Sequence, residues 1–389
     1  MSTIKADTIK NKKSLAINLP NKLTIGGFSV EQGYTASATE PSNPAIGDFW
    51  WDTANDKLYR YVNNEFFEIN ITAATSWYGD RDLRTGAQSS IYYDLIHYNS
   101  ITTLGNAADF GDVTVARTRQ AACSNGTYSY RFGGSNSGTA TALSVLYNVV
   151  DYFANASLGN ASDFGDASSN HSDGSAHSDG TTGVVWKGLS SAIVVTNAID
   201  KYTLDTPGNA TDFGDVSSIA NRWSIAEAGC GNGTRGIFWG GTNPSSPYSP
   251  HSNTIDYVTV ASPGNATDFG DMNIARYAGS GTGAGTDDRC LYFGGYASGT
   301  NGFSQIDYIT ASTTGNAADF GDLNPATNLN YTQYYGGAAA NATRALYHFS
   351  YGNNQISYVT MSTTGNATDF GDQLITNNAM QSHSSGAAS

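Results

Sequence analysis

Gly105-Asn-Ala-Ala-Asp-Phe-Gly-Asp112 is the first of six copies of one eight-residue phrase. The others start at Gly159, Gly208, Gly264, Gly315 and Gly365, and only the fourth position varies, among Ala, Ser and Thr. Successive copies lie 54, 49, 56, 51 and 50 residues apart. A period near fifty marks a propeller or a solenoid, because one such unit has too little apolar surface to fold alone and must bury it against its neighbours.

Between two copies the chain reads as four short strands. Arg276-Tyr-Ala-Gly-Ser-Gly-Thr-Gly283 has the small side chains of an innermost strand crowded near an axis. Arg289-Cys-Leu-Tyr-Phe-Gly-Gly295 is apolar and closed by a glycine pair, and Gln305-Ile-Asp-Tyr-Ile-Thr310 alternates with period two. The fourth strand carries the phrase. The glycine pair recurs at Gly133-Gly134 and Gly240-Gly241, relaxes to Tyr78-Gly79-Asp80 and Trp186-Lys187-Gly188, and gives way to Phe349-Ser350 in the last unit. In five units a Tyr stands seven residues before the phrase, and Tyr202 stands six before Gly208.

Composition agrees with many short strands and tight turns: 44 of 389 residues are Gly, 24 are Tyr, and only 13% are charged. Two Asp in each phrase supply 12 of the 33 acidic residues behind the net charge of -14, a balance that opposes nucleic acids and anionic membranes. No apolar run approaches the roughly 20 residues of a membrane span, and Met1-Ser-Thr-Ile-Lys-Ala-Asp7 lacks a signal peptide's apolar stretch. No membrane insertion and synthesis in a cytoplasm without export are therefore expected.

The phrase admits three readings. As architecture, its Asn and Asp bond nearby backbone N–H groups, its Gly takes a dihedral closed to other residues, and its Phe wedges between units. As a calcium loop it offers carboxylates and an amide oxygen but not the dense ligand spacing of oxygen-rich loops. As the Asp-Phe-Gly of a kinase it fails, since a kinase uses that motif once, beside elements absent here. Architecture is the reading adopted, with no cofactor and no metal expected. The cysteines, Cys123, Cys230 and Cys290, are odd in number, and Cys123 and Cys230 share one repeat phase, so buried free thiols are expected. His171 and His177 form the one local His pair with an intervening Asp, in an inner-strand segment that could face a central channel; a solvated loop is expected there rather than a metal site. No residue set points to catalysis.

The strand order, the glycine pair and the Asp-x-Tyr-like spacing together resemble the kelch repeat, with Phe110, Phe164, Phe213, Phe269, Phe320 and Phe370 where kelch has Trp. That resemblance implies an all-β, six-bladed propeller over residues 74–389. The first unit lacks an inner strand, and the tail from Asn377 to Gly386 matches that missing phase, so the C-terminal strand is expected to close the ring.

Residues 1–73 lie outside the repeat. Gly47-Asp-Phe-Trp-Trp-Asp52 and Lys57-Leu-Tyr-Arg-Tyr-Val62 read as a hairpin, followed by a third strand at Phe66-Phe-Glu-Ile69. This module, residues 39–73, resembles one common in tail fibres of tailed bacteriophages, and Met1-Ser-Thr-Ile-Lys-Ala-Asp-Thr-Ile-Lys10 resembles the start of virion proteins of marine cyanophages. The resemblance implies a virion appendage. An extended arm, residues 1–38, would order against other tail proteins or against copies of itself, a trimer among the options. The propeller would display its variable loops, residues 81–93, 135–146, 242–253 and 296–303, to a host glycan or protein receptor. Tyr92, Tyr93, Tyr248, His251, Tyr296 and Phe303 are the candidate contacts. A purely structural decoration protein is the rival reading, and a glycan-degrading propeller enzyme is a third, weakened by the scarcity of carboxylates outside the phrase.

Overall fold

The computed structural model describes residues 23–25, 28–30, 34–54, 57–62, 64–69, 79–86, 93–136, 145–191, 194–216, 229–242, 251–283, 288–297, 302–323, 335–350, 353–375 and 382–386. All regular structure among them is β-strand, and none of them forms a helix long and apolar enough to cross a membrane. The chain divides into two compact units, Met1–Ser76 and Trp77–Ser389.

The first unit holds β1 (Leu23–Ile25), β2 (Phe28–Val30), β3 (Tyr34–Ser37), β4 (Phe49–Asp52), β5 (Lys57–Val62) and β6 (Glu65–Ile69). β1 and β2 form a hairpin, and the other four make one sheet in chain order. The hairpin and third strand expected from the sequence are β4, β5 and β6. Trp50 anchors them, stacked 4.9 Å from Tyr59, 5.4 Å from Phe66, and donating Nε1–H to the Ser37 carbonyl at 3.2 Å. The arm expected over residues 1–38 is corrected in part. β3 pairs parallel with β4, so this sheet begins before residue 39, and β1 and β2 also fall in the stretch assigned to the arm. A main-chain ladder along β4 supplies the partner that side-chain composition did not reveal. Residues 1–22 lie outside the described residues.

In the second unit the strands are β7 (Arg81–Thr85), β8 (Leu95–Ser100), β9 (Ala108–Asp112), β10 (Ala121–Ser124), β11 (Tyr128–Phe132), β12 (Tyr147–Ala154) and β13 (Ser162–His171). Then come β14 (Ser175–Ser178), β15 (Thr182–Trp186), β16 (Leu189–Ser191), β17 (Val194–Val195), β18 (Ala198–Thr203), β19 (Thr211–Asp215), β20 (Gly229–Gly231), β21 (Arg235–Thr242), β22 (His251–Thr259) and β23 (Thr267–Asp271). The last nine are β24 (Ser280–Gly283), β25 (Arg289–Phe293), β26 (Gln305–Thr310), β27 (Ala318–Asp322), β28 (Gly337–Ala340), β29 (Arg344–His348), β30 (Gln355–Thr360), β31 (Thr368–Asp372) and β32 (Ser382–Gly386). They form six antiparallel four-stranded sheets: β32-β7-β8-β9, β10 to β13, β14-β15-β18-β19, β20 to β23, β24 to β27 and β28 to β31. The third carries an inserted hairpin, β16–β17. In the first, β32 pairs along the whole of β7, from Ser382 opposite Thr85 to Gly386 opposite Arg81.

Three hydrogen bonds at each phrase tie one sheet to the next. Between the third and fourth sheets, Gly264 N–H donates to the Phe213 carbonyl (2.8 Å) and Ala266 N–H to that of Asp215 (2.7 Å), while Asp215 N–H donates to Asn265 Oδ1 (3.1 Å). The same three recur between every consecutive pair of sheets. They recur between sixth and first as well, where Gly105 N–H donates to Phe370 O, Ala107 N–H to Asp372 O, and Asp372 N–H to Asn106 Oδ1. The phrase Asn therefore serves the neighbouring sheet rather than its own turn. These bonds occupy the backbone groups of each fourth strand, which would otherwise be an open edge.

All six sheets break register at the same place, opposite the phrase Phe, as in Ile255 opposite Gly270 and then Asp256 opposite Asp268. This bulge turns the Phe inward. Each of the six is 2–3% exposed, and each packs across a junction, as Phe164 does with Tyr130 and Val150 of its own sheet and Val185 and Tyr202 of the next. Burying such a side chain contributes about 2–3 kcal/mol. In five sheets the Tyr of the third strand meets the Phe edge to face at 5.5–5.9 Å. In four of these an Arg that opens the second strand lies 4.4–5.1 Å over the Tyr, and its guanidinium donates to a carbonyl of the following sheet: Asn155, Ala311, Met361 or Thr102.

Several sequence expectations shift in register. In the third sheet Lys201, not Tyr202, takes the position opposite the fourth strand that Tyr holds elsewhere, and Tyr202 faces the second–third junction. The glycine of the first sheet is Gly86, directly after β7, whereas Gly79 and Asp80 precede that strand; residues 81–85 are thus a strand and not part of a variable loop. Residues 276–279 are a buried turn ahead of β24 rather than part of it. Cys230 and Cys290 are not free: they form a disulfide with Cα atoms 5.9 Å apart, and only Cys123 remains a buried thiol. The matching phase of Cys123 and Cys230 concealed this, because Cys230 pairs forward with a different strand of the next sheet.

The inner strands are tightly packed. Ala121, Ser280 and Ala339 are at most 1% exposed, and each inner strand touches the next, with β28 also touching β32 and β32 touching β10. His177 accordingly faces no channel. It is buried edge-on against Phe238 at 4.8 Å, in the space that a Cβ on Gly236 would occupy.

Candidate functional site

Where the fourth and fifth sheets meet, two of the six candidate residues, His251 and Tyr296, pack on Tyr277, and a third, Phe303, lies against the adjacent Arg276. His251 opens β22, and its Nδ1 lies 2.9 Å from Thr242 Oγ1, the cross-strand neighbour that ends β21. The imidazole stacks on the Tyr277 ring, centroids 5.1 Å apart and planes 29° from parallel. Tyr277 sits in the turn ahead of β24 and is bridged to Tyr296 by two main-chain hydrogen bonds, Tyr277 N–H to Tyr296 O (3.0 Å) and Tyr296 N–H to Tyr277 O (2.8 Å). Their rings meet edge to face at 5.6 Å. Phe303 belongs to the loop that returns to β26, its N–H on the Gly295 carbonyl at 2.9 Å.

Arg276 is the pedestal of this cluster. Its guanidinium lies 5.1 Å over Tyr292 and 5.8 Å over Phe303. The same group pairs with Asp307, Nη2 to Oδ2 at 2.9 Å, with both side chains fully buried. Asn273 and Gln305 add N–H donors to Asp307 Oδ1 at 2.9 and 2.8 Å. Burial lowers the Arg276 pKa despite the Asp307 charge, and burial raises that of Asp307 despite the Arg276 charge. Such a pair adds little net stability but fixes geometry, because breaking it strands a buried charge. Beneath it Ala278 adopts a left-handed φ of 60°. Gly279 N–H donates to the Tyr292 hydroxyl at 3.1 Å, and a Cβ on Gly279 would lie 2.6 Å from that ring. Burial pushes the Tyr292 hydroxyl up to about 12, so it stays protonated.

The result is an aromatic cluster with His251, Tyr296 and Phe303 half-buried at its rim and Tyr277 4% exposed beneath them. Burial lowers the His251 pKa, which favours the neutral ring. Flat apolar faces with Tyr hydroxyl and imidazole N–H at their edges can stack on and hydrogen-bond a ligand. Tyr277 was not singled out from the sequence. It stands where Thr118 stands in the second sheet, which makes the matching bridge to Ser135, so repeat alignment could have revealed an aromatic at a structural position. Tyr93 lies two residues ahead of β8, on the first sheet. Tyr92 and Tyr248 lie outside the described residues.

Among the described residues no three His, Cys, Asp or Glu side chains come together to hold a metal. His171 is fully buried in the phase that holds Arg117 and Arg276 in other sheets, with its pKa lowered to about 4 chiefly by burial. In that sheet Lys187, which displaces the first glycine of the pair, supplies the cation to Asp200 at 3.4 Å. This explains why the third sheet departs from the repeat. No protein-family model matches the chain, and no curated protein matches it.

Proposed function

We propose that this chain is a virion appendage of a tailed phage, in which residues 77–389 form a six-bladed kelch-like propeller closed by the C-terminal strand. Its aromatic cluster binds a host-surface glycan or protein. Closure is supported by the hydrogen bonds from the sixth sheet to the first and by the pairing of β32 with β7. The virion assignment rests on the resemblance of the first 73 residues.

The observation that carries the binding role is a division within the repeats. Every repeated Phe and Asn is consumed in joining sheets, whereas His251, Tyr296 and Phe303, which do not repeat, come together at one rim. Binding of the purified protein to cyanobacterial cells and to their isolated surface polysaccharide tests the role, with loss of binding expected for Tyr296→Ala. No binding to any cell, together with burial at a non-distal site of the particle, would refute it.

A decoration role without a receptor finds support in Leu104 and Leu158. They occupy the same phase on adjacent sheets and are 55% and 58% exposed, so both offer an apolar side chain to a neighbouring virion protein.

A further inference from the structure

The disulfide and the aromatic cluster straddle the same junction. Cys230 lies on the inner strand of the fourth sheet and Cys290 on the second strand of the fifth, 60 residues on. The inner-strand position of Cys230 holds Cys123, His177, Thr282 and Ala339 in the second, third, fifth and sixth sheets, as their pairings with Tyr130, Val184, Leu291 and Leu346 show. The position of Cys290, second in its strand, holds Asp82, Ser129, Gly183, Gly236 and Ala345 elsewhere. Only the fourth–fifth junction has a cysteine at both. At the far end of that junction, two long hydrogen bonds cross under the cluster, Gly241 N–H to Arg276 O (3.2 Å) and Arg276 N–H to Ser252 O (3.3 Å). The equivalent bond between the second and third sheets, Gly134 N–H to His171 O, is shorter at 2.8 Å.

We infer that Cys230 and Cys290 form a redox lock on the junction that carries the aromatic cluster. Oxidation ties the fourth sheet to the fifth and holds His251 against Tyr277. Reduction leaves the junction to noncovalent contacts and lets it open locally. A disulfide of a low-molecular-weight thiol, such as glutathione disulfide, is the oxidant. One cysteine thiolate attacks it and releases a glutathione thiolate; the second cysteine then attacks the mixed disulfide and releases the other. Two protein thiols give one disulfide, and the two electrons reside in two glutathione thiols. Cys290 is fully buried and Cys230 is 5% exposed, so exchange in either direction requires the junction to part. The two states therefore interconvert slowly, and a chain folded under reducing conditions keeps its thiols until the junction opens.

The test is native-state hydrogen exchange on the full chain in three forms: oxidised, reduced with dithiothreitol, and Cys230→Ala/Cys290→Ala. The Gly241 and Arg276 amides are expected to exchange about tenfold faster or more in the two unlocked forms, with Gly134 unchanged within about twofold. Equal rates for Gly241 and Arg276 in the oxidised and reduced protein would overturn the inference. Equal acceleration of Gly134, or complete unfolding on reduction, would also overturn it, since either makes the bond a general stabiliser. Should the double variant fail to fold, the reduced wild-type chain alone decides.

Discussion

Replacing Gly214 by Ala isolates what the repeated phrase does. Gly214 has φ +150°, a region that L side chains rarely adopt, and a Cβ there would lie 2.4 Å from the Gly264 carbonyl oxygen and 2.5 Å from its carbon. Both are backbone atoms of the next phrase, so relief requires moving one sheet away from the other. The strained dihedral costs about 1–3 kcal/mol. Displacing the neighbouring phrase weakens up to three hydrogen bonds, from Gly264, Ala266 and Asp215, each worth about 1 kcal/mol. The expected loss is about 3–5 kcal/mol, a large part of the roughly 5–15 kcal/mol that holds an ordinary domain folded. The control lies six residues earlier in the same phrase. Gly208 has no left-handed φ, and a Cβ there would meet nothing closer than the Thr206 carbonyl at 3.9 Å, so Gly208→Ala is expected to stay within about 0.5 kcal/mol of wild type. Denaturant unfolding of both variants gives the comparison. Equal effects, or a loss below about 1 kcal/mol for Gly214→Ala, would mean that the phrase is not a sheet-to-sheet joint.

Thr282→Cys with Ala345→Cys places two thiols at the fifth–sixth junction in the phases of Cys230 and Cys290; oxidation should close a second inter-sheet bond, seen as two thiols lost on titration, and adding up to about 4 kcal/mol. Arg289→Ala removes both a guanidinium stacked 4.9 Å over Tyr308 and its 2.9 Å bond to the Met361 carbonyl; a loss of about 1–2 kcal/mol is expected, and none would contradict the inter-sheet role. Burial holds the His177 imidazole down at about 3, against an ordinary 6.5, so the native state keeps it neutral while the unfolded chain takes up a proton. Stability is therefore lost as pH falls from about 6.5 toward 3, by up to about 1.4 kcal/mol per unit. His177→Gln should lack that contribution, and a difference between wild type and variant that does not change from pH 7 to 4.5 would contradict the burial argument.

Much of the framework was legible because the phrase repeats. Each copy marks a fourth strand, and its Asn, Phe and Gly are constrained at every junction, so six observations in one sequence expose one physical requirement. Asp-x-Tyr spacing likewise located the third strands, with Gln305–Thr310 found at the residues expected. What pairs with what across sheets was less legible. Cys230 and Cys290 occupy unlike phases, and only the forward packing of an inner strand onto the next sheet brings them together. Register slipped where cations change places: Lys187 takes the salt bridge that Arg117 and Arg276 make elsewhere, leaving His171 buried in their phase. In the candidate site, loop composition pointed to His251, Tyr296 and Phe303. Their convergence depends on Tyr277, buried in a turn read as strand, and on the Arg276–Asp307 pair beneath it.

A density map of residues 77–389 would distinguish a closed propeller from an open one. Closure requires six four-stranded blades about one axis, with residues 382–386 as the innermost strand of the blade built from residues 81–112. An open arc, another number of blades, or a C-terminal strand not paired with β7 would contradict it.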